Sequence, residues 1–76
     1  MTFTIETYKA KEEEVLKAMI EIDKFSTVYK LLICRNFGPN DCFVFPVRIT
    51  YYGTVEKARQ ALKRYGKRNE ITWIKQ

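Results

Sequence analysis

The residues in this 76-residue chain with the most evident chemistry are cations crowded near its end: Lys57, Arg59, Lys63, Arg64, Lys67 and Arg68. The run Lys63-Arg64-Tyr65-Gly66-Lys67-Arg68 is the densest. Such clusters attract phosphate, and the attraction falls steeply with salt because it works by releasing counterions. The last 21 residues carry +5, the net charge of the whole chain. These six cations are a candidate surface for nucleic acid or an acidic partner. The bland alternative is a solvated helix face whose charge an acidic neighbour offsets.

Other reactive groups are sparse. The chain has no histidine, which excludes Ser-His and Cys-His nucleophile pairs, histidine metal ligation and a histidine pH switch. Cys34 and Cys42 have seven residues between them, and two thiols alone do not make a zinc site. Flanking a hairpin loop, they would be placed to face each other as a disulfide. In a reducing cytosol, two free and partly buried thiols are expected instead. Glu12, Glu13 and Glu14 read either as an acid/base cluster or as the solvated first turn of a helix, where the helix dipole favours anions. Ser26, the carboxylates and the tyrosines offer no base at a defined spacing. The expectation is a protein that is not an enzyme, with no catalytic residue, metal site or cofactor.

These groups need elements to position them. Thr2 to Tyr8 alternates as a half-buried strand, with Phe3 and Ile5 inward. Lys11 to about Lys24 reads as a helix, its stripe formed by Val15, Leu16, Met19, Ile20 and Ile22. Thr27 to Arg35 and Cys42 to Tyr51 read as strands around a turn at residues 36–41. Pro46 cannot donate to a ladder, which places it at an edge or a bulge. Thr54 is a good N-cap for a second helix from Val55 to Tyr65, with Val55, Ala58, Ala61, Leu62 and Tyr65 facing the core and Gly66 as its stop. Glu70 to Lys75 completes the order as a final strand.

Strand, helix, strand, strand, helix, strand is the order of the α+β ferredoxin-like fold, βαββαβ: one domain over residues 1–76, with a four-stranded antiparallel sheet and both helices on one face. A competing arrangement moves the last strand to the other edge. The size scaling has such a chain bury roughly 63% of its unfolded surface, enough for one small core. Phe3, Ile5, Tyr29, Leu31, Ile33, Phe43, Phe45, Val47, Ile49, Ile71 and Trp73 would pack beneath the helices. The opposite face would present Lys30, Leu32, Val44, Arg48 and Ile74 to a protein partner or to a second copy of the chain, with the register of the second strand open to reversal.

RNA-recognition domains share this element order and stack bases on the two central strands. The segment Asn40-Asp41-Cys42-Phe43-Val44-Phe45-Pro46-Val47 lacks the leading cation and glycines of their signature. Base stacking on the sheet is therefore not expected. Nucleic-acid contact would run through the basic second helix and the loop after it, with Tyr51, Tyr52 or Tyr65 nearby.

In being short, Lys/Glu-rich, single-domain and without a catalytic signature, the chain resembles the small accessory proteins of tailed bacteriophages, of the host-interaction or anti-defence type. The resemblance implies a binder that inhibits or retargets a partner protein, such as a nucleic-acid enzyme, nuclease toxin or ribonucleoprotein. Direct RNA binding by the basic helix is the alternative. The N-terminus has no secretory pattern, and the apolar runs Leu31–Ile33 and Phe43–Phe45 fall far short of the roughly 20 residues that span a bilayer. The expectation is a complete cytoplasmic chain with no membrane partner.

Overall fold

Alternating side chains over Thr2–Ala10 make the first strand, β1. A computed structural model describes residues 2–23, 25 and 27–76. Leu16–Asp23 forms β2, Tyr29–Phe37 forms β3 and Phe43–Tyr52 forms β4. One α-helix, α1, spans Val55–Asn69, and Trp73–Lys75 forms β5. All strand pairs are antiparallel, in the order β4-β3-β2-β1-β5. Among the described residues, a five-stranded meander-derived sheet under a single α-helix thus replaces the ferredoxin-like βαββαβ arrangement with its four strands and two helices.

The correction arises at β2. Val15, Leu16, Met19, Ile20 and Ile22 fit helical spacing, but Leu16, Ala18 and Ile20 also fit a period of two, and these three are fully buried. Short apolar runs carry both periods, and tertiary pairing decides between them. β2 is the central strand. It pairs with β1 from Lys17↔Lys9 to Asp23↔Thr2 and with β3 from Leu16↔Arg35 to Ile22↔Tyr29. Hydrogen bonding on both edges and burial of alternate side chains under α1 outweigh the helix preference of Ala18 and Met19. The residues Lys24 and Ser26 of the sequence reading lie outside the described residues.

The glutamate triplet occupies the β1–β2 turn, not a helix start. Leu16 N–H donates to the Glu13 carbonyl at 3.1 Å, and Lys11 N–H donates to the Thr72 carbonyl at 2.9 Å. Glu12 accepts the Thr72 backbone N–H at 2.8 Å, and Glu13 pairs with Arg35 Nε at 2.7 Å. These contacts pin the turn to the segment before β5 and to β3.

β4 is an edge strand with a bulge, since Ile33 pairs with Arg48 and Cys34 with Pro46, leaving Val47 extra. Pro46 thus sits where its missing N–H is tolerated. A second bulge at Ile5 shifts β1, whose pairing passes from Thr4↔Glu21 to Glu6↔Ile20. Together the bulges and the lone helix rewrite the expected core. Leu31 and Ile33 are buried and Tyr29, Ile71 and Trp73 pack against the core. Phe3, Ile5, Phe43, Phe45, Val47 and Ile49 are exposed instead. The core gathers Ala10, Leu16, Ala18, Ile20, Leu31 and Ile33 of the sheet beneath Ala58, Ala61 and Leu62 of α1.

Helix α1 starts where the sequence places it. Thr54 Oγ1 accepts the Lys57 N–H at 3.2 Å. Its end differs: Gly66 is buried within the helix, and left-handed Glu70 (φ 57°) caps it. A Cβ on Gly66 would lie 2.7 Å from the Ile71 carbonyl oxygen and 3.0 Å from the Trp73 ring. This glycine lets the chain fold back against the helix into β5.

Candidate functional site

The six cations of the sequence reading all lie on α1, but they do not act alike. Arg59 is held by Glu6 of β1. Its Nε lies 3.0 Å from both carboxylate oxygens, and its Nη2 donates to Oε2 at 2.6 Å. Glu6 is almost fully buried, accepts the Tyr8 hydroxyl at 2.6 Å and has Lys75 Nζ at 3.4 Å. The Arg59 hydrogen bonds lead in holding its carboxyl down at about 2, against the cost of burial. Burial, with the Glu6 contact, pushes the Tyr8 hydroxyl up to about 12. Arg59 is therefore a structural cation. Lys57, Lys63, Arg64, Lys67 and Arg68 are exposed and have no ion-pair partner among the described residues.

Arg64 and Arg68 flank a cleft between α1 and the β3–β4 side of the sheet. Its other lining residues are Ala61 and Tyr65 of the helix, Leu31 and Ile33 of β3, and Arg48 and Tyr52 of β4. Its volume is about 80 Å³, room for a few waters or one tetrahedral oxyanion. Three arginines from two elements line it, and among the described residues no carboxylate does. Arg48 likewise has no ion-pair partner among the described residues.

Arg48 corrects the open-face expectation. It pairs with core residue Ile33 and shares the helix-facing side of β4 with Thr50 and Tyr52. Residues 48, 50 and 52 alternate onto one face, and Tyr52 packs against the core. Of the other residues assigned to that face, Lys30 pairs with Glu21 and Leu32 with Met19, away from the helix-facing set. Leu32 is nonetheless buried, while Val44 and Ile74 are exposed. Tyr51 also lies opposite the cleft, because it neighbours Tyr52 in a strand.

Two further hollows flank α1. One of about 210 Å³ is lined by Tyr8, Arg59, Leu62, Lys63, Ile71 and Trp73. A shallower one lies on the outer helix face at Gln60, Lys63, Arg64 and Lys67, and continues the basic track outward from the cleft. Cys34 and Cys42 are free thiols, the first buried and the second exposed. Cys34 pairs with Pro46 across the hairpin, so the cysteines do not oppose each other. Among the described residues, no group of three His, Cys, Asp or Glu is placed to hold a metal ion, and no helix is long and apolar enough to cross a membrane.

No family model, curated protein or solved structure matches this chain.

Proposed function

We propose that the α1–β4 surface binds single-stranded nucleic acid, RNA foremost, through its phosphates. The observation that carries this reading is the convergence of Arg48, Arg64 and Arg68 on one cleft without a carboxylate. Ion pairs hold Arg35 and Arg59 in place elsewhere, so this grouping is not a by-product of the chain's positive charge. Arginine presents a planar fork of donors that matches phosphate oxygens. Lys63 and Lys67 extend the track along the outer helix face. The test is anisotropy of a labelled oligoribonucleotide titrated with protein between about 50 and 200 mM salt. Affinity should fall with a log–log slope of about −0.7 for each phosphate contact. Arg64→Glu with Arg68→Glu should abolish binding and leave the circular dichroism spectrum unchanged. Binding that survives this pair of changes with its salt slope intact would remove the helix from the site.

A second reading is a cytoplasmic binder that inhibits or retargets a protein, itself a nucleic-acid enzyme or ribonucleoprotein of the kind phage accessory proteins address. It draws on β4, a ten-residue edge strand with Phe43 and Phe45 each 56% exposed and Tyr51 65% exposed. Its unpaired edge fits an extended apolar segment of the partner, added as a sixth strand. Capture of one stoichiometric protein that persists after nuclease treatment would favour this reading. Loss of all protein after nuclease favours the first.

A further inference from the structure

We propose that the Arg48–Arg64–Arg68 cleft takes the terminal phosphate monoester of a nucleic-acid strand, so that the protein recognises a strand end and not an internal stretch. This rests on the nucleic-acid reading and narrows it.

The shape of the cleft argues for an end. Its walls are Tyr52, Tyr65 and the arginines, and its lining includes Leu31, Ile33 and Ala61, which belong to the buried core. A space of about 80 Å³ whose lining includes core residues admits one phosphate group and little more. An internal phosphodiester carries one charge, two free oxygens and a nucleoside on either side. A terminal monoester carries about −1.5 to −2 and three acceptor oxygens, with only one side attached to the chain.

The charge balance points the same way. Three arginine side chains line one small space, and among the described residues no acid lines it to offset their charge. One diester charge leaves most of that positive charge unmatched, whereas a dianion matches more of it. Each arginine offers a fork of donors, so three of them match three phosphate oxygens with bidentate geometry to spare.

From the seated phosphate the strand would leave past Tyr65 and Arg64 toward Gln60, Lys63 and Lys67, where the next phosphates meet lysines.

The experiment compares one oligoribonucleotide of about ten residues in three forms: 5′-phosphate, 3′-phosphate and both ends hydroxyl. One phosphorylated form should bind about tenfold more tightly than the hydroxyl form. Arg48→Ala should erase that ratio, and Arg48→Lys should restore only part of it. Lys63→Ala with Lys67→Ala should weaken all three forms alike and keep the ratio. Equal, salt-sensitive binding of all three forms overturns the end-phosphate inference and leaves nucleic-acid binding in place. Absence of binding by every form overturns both. A phosphoserine peptide that binds more tightly than any oligonucleotide overturns the choice of nucleic acid as the ligand.

Discussion

Arg59 on α1 and Glu6 on β1 are joined by a two-pronged ion pair, 2.6 Å from Nη2 to Oε2, across 53 residues of sequence. It ties the helix to the β1 side of the sheet, whereas the arginine cleft lies on the β3–β4 side. The same helix is thus anchored along one flank and left electrostatically open along the other.

The pair makes stability depend on acid. Glu6 has a folded-state pKa of about 2, below its ordinary 4.5, so its contribution is fully present above 4.5 and is lost as pH falls toward 2. A depression of that size corresponds to about 3 kcal/mol at neutral pH. Urea unfolding at pH 7 and pH 3 should show the loss, and Glu6→Gln should flatten the acid limb while costing about 1–3 kcal/mol at pH 7. An unchanged acid limb in Glu6→Gln would mean another carboxylate governs it.

The helix and its cap were legible in the sequence because Thr54, the i, i+3, i+4 spacing of Ala58, Ala61 and Leu62, and the charged outer face agree with one another. So were the strands around the Gly38–Asp41 turn, where Gly38 (φ 84°) and Asn40 (φ 56°) take left-handed backbone. β2 was not, because its residues satisfy two periods and only its neighbours β1 and β3 select one. The candidate site was half legible. Arg64 and Arg68 announce themselves by clustering, but Arg59 looks identical to them until the fold brings Glu6 beside it. Arg48 was hidden by the register of β4, which the bulge at Val47 resets. Bulges are set by pairing and leave little trace in a single strand's sequence.

Gly66 offers a test of the fold-back into β5. An alanine there gains helix propensity of about 1 kcal/mol. Its methyl would also press on the Ile71 carbonyl oxygen, at 2.7 Å. That oxygen belongs to backbone held by the Ile71 N–H bond to the Gly66 carbonyl at 2.7 Å, so it cannot swing aside as a side chain would. Gly66→Ala should lose about 1–3 kcal/mol despite the propensity gain. Trp73 emission should shift to the red as β5 loosens. A stabilised protein with unshifted emission would show that the turn yields freely.

The two thiols should react at different rates. Cys42 is exposed at the mouth of β4. Cys34 is fully buried, donates to Asn36 Oδ1 at 3.2 Å, and burial pushes its thiol pKa up. A thiol reagent at pH 8 should titrate Cys42 at once and Cys34 only on unfolding. Cys42→Ser should remove the fast phase and leave stability within about 0.5 kcal/mol. Simultaneous fast reaction of both would mean that β3 opens readily at the hairpin.

The face turned away from α1 carries apolar residues of two kinds, and substitutions separate them. Leu32 is buried between β2 and β4, at 9% exposure, through the pairs Leu32↔Met19 and Leu32↔Ile49. Val44 and Ile74 stand at opposite sides of the sheet and are 49% and 46% exposed. A carboxylate at Leu32 loses its water without gaining a partner, so Leu32→Glu should cost about 3 kcal/mol or more and broaden or abolish the unfolding transition. Val44→Glu and Ile74→Glu keep the charge in solvent and should stay within about 0.5 kcal/mol of the parent. If β4 receives a partner strand or a second copy of the chain, Val44→Glu should abolish that association, measured by sedimentation, while Ile74→Glu leaves it intact. An association lost equally in both variants would place the contact across the whole face and not along the β4 edge.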